Sequence, residues 1–229
     1  MAEEEFIYSG KANLENSEVL QNFQRFLTSE LQEFFGNCEE TLDFGAGIGT
    51  YSRIAANLGK KVHCVEKDGE FQEILRKQGF AAYDSLEKVD RKFSHIFTIN
   101  VLEHIEDDVA ILKELRSKLT DDGKIYIFVP ASQILYSKFD ENVAHFRRYS
   151  RKELLSKLEQ AGFTIEHSRC FDWVGFFCNL YFKYFGSKSG VINSDMMRIY
   201  DKYLLPLSLS TDFLFARLFH KNLIAVAHK

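Results

Sequence analysis

Residues 14–35 carry apolar side chains at helical spacing (Val19, Leu20, Phe23, Phe26, Leu27, Leu31, Phe34 and Phe35), which predicts an amphipathic helix ending at Gly36. A short apolar run, 41–44, reads as a strand and leads into a glycine-rich turn. A helix over about 50–58 stops at Gly59, 61–66 (KVHCVE) reads as a second strand, 70–78 as a helix closed by Gly79, and 80–83 as a brief third strand. The segment 93–100 (FSHIFTIN), rich in β-branched and aromatic residues, predicts a fourth strand. Behind it Ile105, Val109, Leu112, Leu115 and Leu119 share a helical face. Glu106, Asp107 and Asp108 fall in its first turn, where acidic residues suit the positive end of the helix dipole. Asp122-Gly123 is expected to turn the chain into a fifth strand, 124–129 (KIYIFV), ended by Pro130.

The rhythm then changes. Residues 131–149 show no clear periodicity and read as a long loop holding Tyr136, Asp140, His145, Arg147, Arg148 and Tyr149; loops of that length are usually functional or disordered. Ser150-x-x-Glu153 is a capping box opening a helix that ends at Gly162. Residues 164–170 and 222–227 predict the sixth and seventh strands, with an aromatic, largely helical insertion at 171–220 between them. Strands alternating with helices across short turns imply right-handed βαβ units. The expected fold is α/β: a Rossmann-like, seven-stranded, mostly parallel sheet with helices on both faces and an antiparallel last strand. A single domain is expected over 1–229, with a helical segment at 1–36, a ligand-binding core at 37–170, the insertion or lid at 171–220 and the last strand at 221–229.

Composition narrows the function classes. Twenty-nine basic against thirty-three acidic residues leave a net charge of −4, without the basic footprint of a nucleic-acid partner. The four cysteines are scattered with no C-x-x-C pair, so neither a disulfide framework nor a metal site is implied, and a reducing cytoplasm is the expected compartment. No apolar run approaches the ~20 residues of a membrane span. The acidic start MAEEEF lacks the apolar stretch of a secretory signal.

Chemistry concentrates at 41–51 (TLDFGAGIGTY). Gly45, Ala46, Gly47 and Gly49 lie between a strand and a helix, where small residues let the backbone approach a ligand with its amides outward. A dinucleotide fingerprint needs its third glycine where Thr50 stands. Asp43, just before the turn, suits a sulfonium or ammonium better than a pyrophosphate. Glu66 follows Gly45 by 21 positions and ends the second strand, where an acidic residue accepts hydrogen bonds from ribose hydroxyls.

Together D-F-G-A-G-I-G, V-x-x-V-E-K-D and N-V-L-E-H-I at 100–105 resemble the class I S-adenosylmethionine-dependent methyltransferases. The likeness is greatest to the small-molecule group that includes ubiquinone and menaquinone biosynthesis enzymes. V-P-A at 129–131 with H-F-R-R-Y-S at 145–150 is similar to a bacterial subgroup often found beside glycosyltransferases. The resemblance implies S-adenosylmethionine as cofactor. Asp43 would orient the methionine amino group, directly or through water, with Gly45, Ala46, Gly47 and Gly49 packed against the cofactor. Glu66 would hold the ribose hydroxyls, with Lys67 or Asp68 beside the adenine and Asp84 and Ser85 near its amine. Asn100 and Val101 would line the methionine moiety. Tyr8 and the N-terminal helix would close over the site.

Methyl transfer from a sulfonium needs alignment first, and a base only where the acceptor must lose a proton. His104 and His145 are the candidates for that chemistry, although Glu103-His104 could equally cap the following helix. Tyr136, His145, Arg147 and Tyr149 are candidate substrate contacts; the arginines could instead anchor the loop to the acidic helix start. The insertion could be a lid, a dimer surface or an interfacial helix, but Lys183 and Lys188 make too sparse a basic face for a membrane. The expected enzyme is a cytoplasmic, monomeric or homodimeric methyltransferase acting on a hydroxyl or amine of a small, lipid-linked or saccharide-derived acceptor, with no metal. The alternatives are a nicotinamide-dependent oxidoreductase and a non-catalytic S-adenosyl-ligand-binding protein.

Overall fold

The computed structural model describes residues 20–185 and 194–229; Tyr8, Val19 and Lys188 lie outside them. Helix α1 (Gln21–Phe35) buries Leu27, Leu31 and Phe35 on one face and ends at Gly36 as the periodicity requires. It has no cap of its own. The carboxylate of Asp201 accepts hydrogen bonds from the Asn22 and Phe23 amides, each at 2.9 Å, from a π-helical turn (Tyr200–Leu204) far along the chain.

The core follows as β1 (Glu40–Phe44), α2 (Thr50–Asn57), β2 (Lys61–Val65), α3 (Gly69–Lys77), β3 (Ala81–Tyr83), β4 (Phe93–Ile99), α4 (Asp108–Ser117) and β5 (Leu119–Pro130). After the 131–149 segment come α6 (Arg151–Gln160), preceded by a short α5 (Lys138–Asn142), then β6 (Thr164–Phe171), α7 (Trp173–Phe185), α8 (Ser194–Ile199), α9 (Leu205–Phe215) and β7 (Asn222–His228). The seven strands order as β3-β2-β1-β4-β5-β7-β6. The first five are parallel, and β7 runs antiparallel to both its neighbours, as the sequence predicts. Strand β5 shows how the faces are filled. Ile125, Ile127 and Val129 join the core under α4 and α6, while Tyr126 and Phe128 join the one under α1 and α2. This is the two-residue period of a strand buried on both sides.

Two sequence expectations change. Asp122-Gly123 does not precede β5 but lies within it. Pairing jumps from Leu119 to Lys124 while β4 advances only from Phe93 to His95, so the extra residues loop out of the ladder. A Cβ on Gly123 would sit 2.9 Å from the Thr120 carbonyl oxygen, which explains the glycine. The segment 131–149 is ordered rather than aperiodic. It holds a 3-10 turn (Gln133–Leu135) and α5, whose start is fixed by a capping box between Ser137 and Asp140.

Buried Asp108 pins this segment to the core. Its Oδ2 accepts hydrogen bonds from the Tyr149 hydroxyl at 2.7 Å, Arg147 Nη1 at 2.8 Å and Lys157 Nζ at 2.6 Å. The Tyr149 hydroxyl also lies 3.1 Å from the Leu102 carbonyl oxygen. Capping of α4 therefore falls to Asp107, which accepts from the Ala110 amide, and not to Glu103-His104. Carboxylates also organise the insertion: Asp212 accepts from the Asp172 and Trp173 amides at the start of α7, and Asp172 accepts from the Tyr200 hydroxyl. Among the described residues no helix is long and apolar enough to cross a membrane.

Tyr149→Phe keeps the ring and removes a hydroxyl bonded to a buried charged group, so it should cost about 1.5–3 kcal/mol. A urea-unfolding midpoint equal to that of the wild type would show that the Asp108 hub does not carry the segment.

Candidate active site

The carboxyl ends of β1, β2, β4 and β5 open onto a cavity of about 2040 Å³, at the point where neighbouring β1 and β4 send their following segments apart. Open α/β sheets bind ligands at such a switch point. A ligand pocket typically occupies ~300–1,000 Å³, so there is room here for two molecules.

One half is built on the glycine turn. Gly45 has φ +78°, and a Cβ there would lie 2.3 Å from a Val101 methyl, so only glycine lets the turn close against the segment after β4. The Gly45 and Ala46 amides bond the Val65 carbonyl oxygen at 2.8 and 3.2 Å, which ties the turn to the end of β2. Glu66 then holds the turn from its side chain: Oε2 accepts from the Gly47 amide at 2.7 Å and Oε1 from the Asp68 amide at 2.9 Å. Burial raises the Glu66 carboxyl above its ordinary range, and these amides oppose the rise. Asp68 itself caps α3 by accepting from the Glu70 and Phe71 amides.

Gly45, Ala46, Gly47, Glu66, Lys67, Asp84, Ser85, Asn100 and Val101 all line this half, so the structure brings together nearly all of the expected cofactor set. Asn100 takes a positive φ of 55°, a conformation that asparagine tolerates better than most residues. Asp84 is half exposed and pairs with Lys88 at 2.5 Å.

Two of that set do not reach the cavity. Gly49 packs instead on α3, where a Cβ would meet Gln78 Oε1 at 2.7 Å and Leu75 Cδ2 at 2.9 Å. Asp43 is buried behind the turn, its Oδ2 accepting from the Ser52 hydroxyl at 2.5 Å. Burial pushes its carboxyl up to about 7; the Ser52 hydrogen bond opposes this, and the nearby Glu66 carboxylate adds to it.

The other half has a polar pole and an aromatic wall. Glu103, His104, His145 and Arg148 line the pole, and Trp173, Phe177, Tyr181 and Tyr200 contribute to the wall. Glu103 is fully buried and neither carboxyl oxygen has a hydrogen-bond partner. Burial pushes this carboxyl up to about 8, which its own backbone amide and then the Arg148 guanidinium only partly offset, and Asp140 adds to the rise; no other residue donates a hydrogen bond to it. His104 is pushed down to about 4 by burial and by neighbouring His145, so it is neutral at pH 7. The two imidazoles meet edge to face with centroids 4.6 Å apart. His145 is oriented by Asp140, whose Oδ1 lies 2.8 Å from Nδ1 and 2.8 Å from Arg148 Nε.

Three expected substrate contacts have other partners. Tyr136 donates its hydroxyl proton to the His145 carbonyl oxygen at 2.7 Å, and Arg147 and Tyr149 are held by Asp108; none of the three lines the cavity. They shape the loop that carries His145. Sequence reasoning passed over Glu103 as a site residue, and weighed Arg148 only among the loop side chains that could meet an anionic group. The available signal was an acidic residue directly before a histidine at a strand end, and a second arginine beside the first.

The sequence matches the family described as a methyltransferase domain over residues 17–168. No curated protein matches it. Among solved structures, a Haemonchus contortus phosphoethanolamine N-methyltransferase 2 bound to S-adenosyl-L-methionine is similar at a TM-score of 0.58 and 17% identity, over 89% of this chain; this chain spans about half of that one, 52%. An S-adenosylmethionine-dependent methyltransferase from Archaeoglobus fulgidus is similar at a TM-score of 0.58 and 17% identity, covering 90% of this chain and 94% of that one. The cyclopropane synthase MmaA2 of Mycobacterium tuberculosis is similar at 0.57 and 14%, covering 88% and 83%. With the match running through the glycine turn, Glu66 and the polar pole, the chain belongs to the methyltransferase domain family.

Proposed function

We propose that this enzyme moves a methyl group from S-adenosylmethionine to a hydroxyl or amine of a small acceptor whose remaining body is apolar, as in a lipid-linked molecule. The observation that carries the reading is the two-sided acceptor half, with Glu103, His104 and His145 at one end and Trp173, Phe177 and Tyr181 along the wall. The polar end suits the nucleophile. The wall suits an alkyl or prenyl-like body, since burying apolar surface there yields about 25 cal/mol per Å².

Placement around the cavity supports a cofactor role for Glu66, Lys67, Asp84, Ser85, Asn100 and Val101. Glu66 takes the ribose hydroxyls on lone pairs that its two amide contacts leave over. Lys67, Asp84 and Ser85 surround the adenine, and Asn100 and Val101 the methionine chain. Asp43 acts from behind the turn, through Ser52 or a water, as a positioning charge for the ammonium. Gly49 sets the start of α2 and the packing of α3. The sulfonium carbon is already activated, so the protein's main contribution is in-line alignment. The acceptor's proton leaves on the side of the Glu103–His104–His145 pole. The four cysteines are free in the described structure, which supports a reducing, cytoplasmic setting.

Three outcomes are expected. Glu66→Ala should weaken S-adenosylhomocysteine at least tenfold in a calorimetric titration, because two ribose hydrogen bonds and the Gly47 tether go together; unchanged affinity removes the ribose role. For the ligand-free protein, Asp43 and Glu103 have folded-state pKa values of about 7 and about 8, above their unfolded values. The stabilisation that accompanies their protonation is complete below pH ~4 and is lost as pH rises through 7 and 8. The thermal midpoint should therefore fall across that window, and Asp43→Asn should flatten its lower part; a midpoint flat from pH 5 to 8 in the wild type contradicts these shifts. Finally, Trp173→Ala should raise KM for an apolar hydroxylated acceptor several-fold in a labelled-methyl assay while leaving the cofactor KM unchanged. Equal turnover of sugar-like and alkyl-bearing acceptors by wild type and variant would overturn the acceptor class.

A further inference from the structure

The pole that faces the methyl-transfer position contains donors for a cation as well as for a proton. Glu103, His104 and His145 each offer one ligand atom, and these atoms all lie within 4.8 Å of one another. Some point is therefore within about 2.8 Å of all three, and a modest inward adjustment reaches the ~2.0–2.2 Å of a formed site. Independently, Glu103 is a fully buried carboxyl with no hydrogen-bond partner on either oxygen, and it lines the cavity. Buried polar groups are seldom left this way unless something outside the protein completes them.

We propose that Glu103, His104 and His145 form a binding site for one divalent transition-metal ion, zinc or manganese, beside the acceptor position.

The donor set itself suits a cation. Arg148 is the nearby positive group; Asp140 pairs with its Nε at 2.8 Å through the same oxygen that lies 2.8 Å from His145 Nδ1, while Arg148 Nη1 is left without a hydrogen-bond partner. A phosphate or carboxylate placed among the three donors would meet the buried Glu103 carboxylate. Asp140 against Nδ1 also turns His145 so that Nε2 points to the Glu103 side, 3.8 Å from Oε1. This is the outer carboxylate that ligating histidines commonly carry. His104 is held by the backbone at Ala144 and Val143, and Ala144 itself takes a positive φ of 58°. Two imidazole nitrogens in a three-donor set select a zinc-like ion over magnesium or calcium, which prefer all-oxygen ligands.

The chemical use rests on the methyltransferase reading. With three protein donors the ion keeps open positions toward the cavity, as catalytic sites do. An acceptor hydroxyl bound there becomes more acidic and releases its proton to water. Its oxygen lone pair then forms the new O–CH3 bond as the C–S bond breaks, with that electron pair returning to sulfur to give S-adenosylhomocysteine. No electron acceptor or donor is needed.

The test separates the two readings. Protein stripped with a chelator is titrated calorimetrically with zinc, manganese and magnesium chlorides, and in a separate run with S-adenosylhomocysteine. We expect one zinc per chain, magnesium at least a hundredfold weaker, and a loss of zinc affinity of at least tenfold in Glu103→Gln with S-adenosylhomocysteine affinity unchanged. Wild type that takes up no zinc or manganese, or Glu103→Gln binding them as tightly as wild type, overturns the metal site. Absence of S-adenosylhomocysteine binding instead counts against the cofactor reading alone. Should Glu103→Gln fail to fold by circular dichroism, pulsed paramagnetic resonance on wild type loaded with one copper(II) decides: nitrogen couplings from two imidazoles support the site, and their absence overturns it.

Discussion

Everything at this site depends on β1 and β4 lying side by side and parallel, with Asp43 opposite Phe97. The chain leaves β1 through the glycine turn toward one face of the sheet and leaves β4 through Asn100 and Val101 toward the other. The divergence opens a crevice that no side chain of the sheet fills. The crevice stays narrow because Gly45 lets Val101 approach where any Cβ would lie 2.3 Å from its methyl. A substitution at Gly45 therefore strains the turn at its φ of +78° and also pushes on the segment after β4.

Outside the crevice, buried carboxylates do the organising. Asp108 gathers a phenol, a guanidinium and an ammonium, Asp140 a guanidinium and an imidazole, and Asp201 and Asp212 cap helices from distant parts of the chain. Each of these four accepts more than one hydrogen bond, although burial still raises the Asp212 carboxyl. Asp108 and Asp140 are in fact held below the ordinary carboxylate range by these partners, even against burial. Breaking one partner of such a hub strands the others, which makes these contacts costly to lose even where they add little net stability.

The sheet, its order of elements and the antiparallel last strand were readable because hydrophobic period and turn residues act locally. The donor half of the site was readable for the same reason. Gly45, Gly47 and Glu66 lie within 21 positions and within one β-turn-α-β unit. The acceptor half depends on contacts across the 131–149 segment, and spacing carries no information about those. Arg147 and Arg148 are neighbours with opposite assignments: one is taken by Asp108 on the core side and the other reaches the cavity beside Asp140. Tyr149 looked like a substrate contact because it is polar and in a loop, yet it is fully buried and bonded inward. Asp140 fixes α5 and orients His145 at once, a double role set by tertiary packing alone.

Against that background Glu103 is the exception. Those four buried carboxylates each accept two or more hydrogen bonds, while Glu103, equally buried, accepts none from another residue and lines the cavity. A protein that could satisfy the group internally has Arg148 nearby, but Asp140 holds the Arg148 Nε, and Arg148 Nη1 is also left without a partner. The same small volume thus contains an unmatched acceptor pair and an unmatched donor. Leaving a buried polar group unmade costs about 1–3 kcal/mol; among the described residues Thr98, Tyr126 and His220 also carry such atoms, but those three do not line the cavity. Functional sites are where such local conflicts persist. The unmatched Glu103 and Arg148 atoms belong to residues that line the cavity together with His104 and His145, so the conflict sits where a ligand can resolve it.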